Sequence, residues 1–176
     1  MDGVKFLHGM QIPPEHHLRI AEEVSRMTRE YQGIMLVKAP AEIMPQLKKE
    51  ATVAAVIERP EGLELVGFVT LWDLKVEGVL ELGTLGVFSQ YQGLGIGTEL
   101  VRIALTLNGK HRIIATAKTS KAITALIHGG MAMWDFTSLP LAIRATTCCC
   151  SGELGVDCTK ADGACRLLKA NWSKKT

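Results

Sequence analysis

Long apolar runs are missing from this chain of 176 residues. No stretch approaches the roughly 18 consecutive apolar residues that span a bilayer, so no membrane-crossing helix is expected. The opening MDGVKFLHGMQIPPEHH lacks the apolar core of a signal peptide, which points to a cytoplasmic protein. An excess of one charge is missing as well. The formal net charge is +2, and Lys and Arg are spread without interleaved aromatics, which speaks against extended nucleic-acid binding and leaves a small molecule as the expected partner. Aromatics make up 5% of the residues and include two tyrosines, Tyr31 and Tyr91. Cysteine is absent before position 148. All five, Cys148, Cys149, Cys150, Cys158 and Cys165, fall in one C-terminal segment, so the disulfide framework of a small secreted domain is not expected.

What remains is an ordinary globular composition, 47% apolar and 22% charged, suited to one domain over residues 1–176 with a Cys-rich extension from about 145. VKFLHGMQI (4–12) alternates loosely into Pro13-Pro14, predicting a strand and then a helix start. Leu18, Ala21, Val24, Met27 and Tyr31 recur at spacings of three and four, predicting an amphipathic helix stopped by Gly33. IMLVK reads as a short extended piece and PAEIMPQLKKE as a second helix bent at Pro45. TVAAVIER (52–59), LELVGFVTLWD (63–73) and VLELGTLGVF (79–88) form an expected antiparallel meander, the first two joined by the turn residues Pro60-Glu61-Gly62. A helix to about Asn108 follows, with Ile96, Leu100, Ile103, Ala104 and Leu107 on one face. HRIIATA (111–117) is then a strand parallel to the one before the helix. SKAITALIHGG is a short helix capped by Ser120, MAMWDF and PLAIRATTC are extended, and ACRLLKANW is a last helix. This order makes a mixed α/β sandwich with helices on both faces of one sheet.

Between the meander and the following helix lies Gln92-Gly93-Leu94-Gly95-Ile96-Gly97. Glycine costs roughly 0.5 to 1 kcal/mol relative to alanine in a regular element, so three at alternate positions signal a demand on the backbone. Amides at a helix start lack intrahelical partners and attract phosphate. A P-loop would require a Gly-Lys-Ser/Thr ending, and the dinucleotide fingerprint would require glycine at Thr98; both fail. The remaining pattern, Gln-x-x-Gly-x-Gly after a strand and before an amphipathic helix, resembles motif A of the GNAT superfamily of acetyl-CoA-dependent N-acetyltransferases. That resemblance implies a mixed, mostly antiparallel sheet of about six to seven strands with helices on both faces. It also implies that the main chain of Gln92, Gly93, Leu94, Gly95, Ile96, Gly97 and Thr98 holds the CoA pyrophosphate. A bulge in the preceding strand, with which Gly83 and Gly86 are compatible, would let pantetheine meet the main chain near Leu85, Gly86 and Val87.

Aminolysis of a thioester needs a neutral amine, and deprotonating a lysine-like acceptor at pH 7 costs roughly 4 to 5 kcal/mol. Glu81 stands at the spacing of the family's general base, and a period of two places Glu81, Gly83, Leu85 and Val87 on one strand face. Glu77 is a weaker substitute in the preceding loop. The family's usual proton donor, a tyrosine in the helix after the fifth strand, is absent here. His128 is a candidate acid, or else a helix C-terminal residue interacting with free carbonyls. A narrower resemblance, to short amino-acid N-acetyltransferases of the N-acetylglutamate synthase type, rests on Tyr31, Gly33, Leu36, Lys38, Leu139-Pro140 and the cysteines from Cys148. It implies that Lys38 pairs with an acceptor carboxylate and that Trp72 or Tyr31 walls the pocket. Lys38 replaces the usual arginine, which loses bidentate recognition, and the aromatic pair usual around Ala125 to His128 is missing. For the cysteines, reduced thiols, one disulfide and a weakly signalled zinc site all stay open. The expected activity is direct transfer of acetyl from acetyl-CoA to a small amino-acid-like amine. A protein amine or a non-catalytic acyl-CoA-binding role is the alternative, and a homodimer is compatible with either.

Overall fold

Strand-forming runs of Val, Ile, Leu and Thr build most of the molecule around one sheet. The computed structural model describes residues 3–32, 34–135, 138–139, 143 and 166–172. Strand β1 (Val4–His8) leads to helix α1 (His17–Glu30) and the single turn α2 (Pro40–Ile43). The meander β2 (Thr52–Arg59), β3 (Gly62–Asp73) and β4 (Val79–Val87) follows, then α3 (Ile96–Leu107), β5 (Arg112–Ala117), α4 (Ser120–His128), β6 (Ala132–Trp134) and β7 (Arg166–Ala170). The sheet has seven strands in the order β1-β2-β3-β4-β5-β7-β6, antiparallel except where β4 meets β5.

Each helix covers the face that its apolar stripe demands. Ile20, Ala21, Val24 and Met27 of α1 bury against Ala54, Val56, Leu65 and Phe68. On the other side, Leu100, Val101 and Ala104 of α3 pack on Val53, Val66, Val69, Leu71 and Leu82. The parallel contact between β4 and β5 is brief. It joins Val79, Leu80 and Glu81 to Arg112, Ile113 and Ile114 and then ends, although both strands continue. β5 turns to β7, so the sheet opens into a V whose apex is Glu81 and Ile114.

Several local expectations give way to tertiary context. Leu18 is exposed and Ile20 takes the core position, because the buried face of α1 also runs through His17, Ser25 and Thr28. PAEIMPQLKKE forms one α turn and a separate 3-10 turn, Gln46–Lys48, rather than one bent helix. IMLVK makes no strand beyond an isolated Gln32–Met35 bridge. The cap of α4 is Thr119, whose Oγ1 accepts from the Ala122 amide at 3.2 Å, not Ser120. The expected last helix is a strand instead. Arg166-Leu-Leu-Lys-Ala170 has helix-forming residues, yet β7 is inserted between β5 and β6 and pairs with both, which satisfies its backbone and buries Leu167 and Leu168. Gly33, Pro140 and all five cysteines lie outside the described residues, as does PLAIRATTC apart from Ile143.

Candidate active site

The V between β4 and β5 owes its chemistry to one extra residue. Phe68 pairs with Gly86 and Thr70 with Gly83, so β4 spends two residues, Thr84 and Leu85, against the single Val69 of β3. The bulge residue is Thr84, in the left-handed region at φ +52°, and its Oγ1 accepts from Trp72 Nε1 at 3.1 Å. This overturns the expectation that Glu81, Gly83, Leu85 and Val87 share a face. Leu80 and Leu82 point to the α3 core before the bulge, and Leu85 and Val87 point there after it; Glu81 and Gly83 face the α1 side. A bulge changes alternation by one, so it reverses every side chain beyond it.

Glycines 83 and 86 are not the bulge but make room for neighbours. A Cβ on Gly83 would stand 2.9 Å from Trp72 Cδ1, and one on Gly86 would stand 2.4 Å from Met27 Sδ. The Phe88 amide donates to Val66 O at 3.0 Å, so alternation turns the Gly86 main-chain groups toward β3 as well. Leu85 and Val87 therefore turn their main-chain groups to the open V, where the Val87 carbonyl accepts from Gln92 Nε2. Of the three residues expected to meet pantetheine, Gly86 thus turns its main chain to β3, and Leu85 and Val87 turn theirs away from it.

The glycine loop has an equally specific geometry. Gly93 and Gly95 adopt φ of +82° and +78°, and a Cβ at either would meet no atom within 4 Å, so conformation rather than space requires glycine there. Gly95 is the residue before α3, which leaves the first amides of that helix, at Ile96, Gly97 and Thr98, without intrahelical acceptors. Gly97 has ordinary room: a Cβ there would stand 3.6 Å from Ala125 Cβ and 3.7 Å from Val87 Cγ2. These open, dipole-aligned donors fit a diphosphate. The Gln92 side chain ties the loop to its surroundings. Its Nε2 donates to Val87 O at 3.1 Å and to Tyr31 Oη at 3.0 Å, and its Oε1 accepts from Lys121 Nζ at 3.1 Å.

Glu81 is half-buried at the apex, and loss of water around its carboxyl pushes its pKa up to about 7, against the opposing pull of the Lys38 ammonium and a hydrogen bond from Thr116. Lys38 Nζ lies 4.4 Å from the centre of the Trp72 ring and 3.1 Å from Glu42 Oε1. Lys38, Trp72 and Glu81 thus come together on one side of the sheet, while Tyr31 stands on the glycine-loop side through Gln92. Thr116 escaped sequence reading. The parallel pairing of β4 with β5 is what carries it to Glu81, and no local pattern marks it.

Two candidates sit elsewhere. Glu77 is exposed and borders a cavity of about 480 Å³ at the start of β4, with Lys49, Asp73, Lys75 and His111. His128 is exposed on the last turn of α4, and among the described residues no hydrogen bond ties it to Glu81 or Lys38. Among those residues, too, no cluster of three metal-ligating side chains occurs and no helix is long and apolar enough to cross a membrane.

Comparison with known proteins agrees with this geometry. The profile of the acetyltransferase (GNAT) family matches residues 22–126, which run from within α1 into α4. No curated protein matches by sequence. Among solved structures, N-acetylglutamate synthase from Neisseria gonorrhoeae, complexed with coenzyme A and N-acetyl-glutamate, superposes with a TM-score of 0.59 at 17% identity over 97% of this chain. The chain spans 35% of the length of that synthase. Rv2747 from Mycobacterium tuberculosis, in complex with CoA, gives a TM-score of 0.62 at 18% identity, covering 94% of this chain and 96% of its own. Ribosomal-protein-S5-alanine acetyltransferase from Vibrio fischeri gives 0.56 at 17% identity, covering 76% and 81%.

Proposed function

We propose that this chain, which belongs to the acetyltransferase (GNAT) family and transfers acetyl groups from acetyl-CoA, delivers them to the α-amine of a small amino acid whose carboxylate is held by Lys38. The observation that carries the proposal is the position of the Lys38 ammonium over Trp72, on the same side of the sheet as Glu81. A carboxylate at Lys38 would replace its present partner, Glu42, and Trp72 would support the acceptor's carbon frame. The α-amine of such an acceptor would then lie toward the apex of the V.

In this reading the amides of Gln92 to Thr98 hold the diphosphate, and pantetheine follows the open edge of Leu85 and Val87 toward Glu81. The Glu81 carboxylate, steadied by Thr116, accepts the proton that the ammonium of the acceptor must lose. The freed nitrogen attacks the thioester carbonyl, the C–S bond breaks, and CoA leaves as the thiolate. The attacking nitrogen releases its second proton as the amide forms and the thiolate takes one up; His128, exposed at the end of α4, is tested for a part in that transfer by His128→Ala, whose unchanged kcat across pH would leave it outside the mechanism. Lys38 has a second effect, because its charge favours ionised Glu81 and so keeps the base competent nearer neutral pH.

A protein α-amine is the second reading. It is favoured by Ile34, Leu36 and Val37, exposed apolar side chains on the segment that leads to Lys38, which would suit a peptide. Thiol release from acetyl-CoA, measured against free amino acids and short peptides, separates the two. Turnover with free amino acids and none with peptides supports the proposal. Turnover with peptides alone overturns it.

A further inference from the structure

The cofactor brings a doubly ionised diphosphate to a loop that has no cation of its own: Gln92-Gly-Leu-Gly-Ile-Gly-Thr98 is neutral and is followed by Glu99. Arg102, one turn into α3, is already committed to Glu99 through both its Nε and its Nη2. Lys121 is placed differently. It lies in the first turn of α4, where the positive end of the helix dipole disfavours a cation. Its side chain is exposed and its ammonium is held 3.1 Å from the neutral Gln92 Oε1, and among the described residues no carboxylate pairs with it. The same Gln92 begins the loop whose amides stand open at Ile96, Gly97 and Thr98. A Cβ on Gly97 would stand 3.6 Å from Ala125 Cβ, one turn further along α4, and with the Lys121–Gln92 hydrogen bond this sets the start of α4 beside the start of α3.

We infer that Lys121 is a cofactor-binding residue of this chain, supplying from α4 the cation for the diphosphate that the glycine loop lacks. The inference rests on the reading of that loop as the acetyl-CoA site. An unpaired ammonium at a helix N-terminus is a local electrostatic cost, and an anion between the two helix starts removes it. Gln92 acts as the place-holder: its Oε1 keeps Lys121 beside the loop until a phosphate oxygen offers a charged acceptor. Such charge-assisted bonds are stronger than those to a neutral amide. Lys121 makes no contact with the apex, so its contribution is to cofactor affinity and not to the chemical step.

The test is calorimetric titration of CoA and 3′-dephospho-CoA into wild-type protein and the variants Lys121→Gln and Lys121→Arg, with steady-state kinetics on acetyl-CoA and on S-acetylpantetheine, which has no phosphate. Lys121→Gln should weaken CoA about five- to tenfold, and 3′-dephospho-CoA by the same factor, with the loss shrinking as ionic strength rises. The KM for acetyl-CoA should rise while kcat and the kinetics with S-acetylpantetheine stay unchanged, and Lys121→Arg should retain affinity. Removing a cation from the first turn of α4 should leave the melting temperature equal or higher, so weaker binding cannot be assigned to unfolding. Equal CoA affinity of wild type and Lys121→Gln overturns the inference and leaves the loop assignment standing. A loss seen with CoA and absent with 3′-dephospho-CoA moves Lys121 to the 3′-phosphate and also overturns it. Failure of the wild-type protein to bind CoA overturns the loop assignment and the inference together.

Discussion

Trp72 and Glu81 face each other in register across β3 and β4, and the indole joins the two ends of the site: its ring lies under the Lys38 ammonium and its Nε1 donates to the bulge residue Thr84. One aromatic side chain therefore links the candidate acceptor anchor to the distortion that shapes the cofactor edge. Gly83 is glycine because that ring occupies the place of a Cβ.

Glu81→Gln tests the base. Glu81 is active as the carboxylate, and its pKa near 7 means that the wild-type rate should climb as pH rises through 7. The variant should lose about 100-fold or more in kcat and should lack that climb. Stability runs the opposite way. The folded state raises this carboxyl above its ordinary value of 4.5, so it holds a proton that the unfolded chain has released, and the associated stability is present below about 4.5 and lost as pH rises through about 7. That loss is at most roughly 3 kcal/mol, and Glu81→Gln should flatten it in thermal melts recorded between those pH values.

Lys38→Met should raise the acceptor KM about tenfold or more and leave the KM for acetyl-CoA unchanged. It should also move the rising limb of the pH–rate profile to higher pH, because the ammonium that favours ionised Glu81 is gone. Lys38→Arg should restore both. Joint movement of acceptor KM and pH profile separates this role from loss of the Glu42 ion pair, which Glu42→Gln removes alone.

The glycines should divide into two classes under substitution by alanine. Gly93→Ala and Gly95→Ala force a Cβ into the left-handed region, costing about 1–2 kcal/mol each, and should weaken CoA binding in titrations. Gly86→Ala leaves conformation alone but meets Met27, costing about 1–3 kcal/mol in denaturant melts. Met27→Ala should recover part of that loss in the double variant, whereas it should do nothing for Gly95→Ala.

Thr84→Val keeps the shape of the bulge residue and removes the acceptor for Trp72 Nε1. Leaving that donor unpaired should cost about 1–3 kcal/mol of stability, read from chemical unfolding. Thr84→Gly removes the same acceptor but relieves the left-handed strain, so its loss should be smaller.

Local patterns carried much of the sheet. β2, β3 and β4 are legible because apolar runs and the Pro60-Glu61-Gly62 turn act over a few residues, and the start of α3 is legible because Gly93 and Gly95 mark a backbone that other residues adopt at a cost. β7 was not legible. Its five residues favour a helix, and the hydrogen bonds that make it a strand come from β5 and β6, which lie far away in sequence.

Residue type and short-range spacing carried the glycine loop and the meander, whereas Lys38, Trp72 and Glu81 became candidates through the resemblance of the chain to known acetyltransferases. Their arrangement came from contacts between strands distant in sequence. The bulge at Thr84 reversed the strand faces, the parting of β4 from β5 placed Glu81 at an apex with Thr116, and burial there raised its pKa. Facing, dielectric and partner choice depend on which strands lie side by side, and a local run of residues does not contain that information.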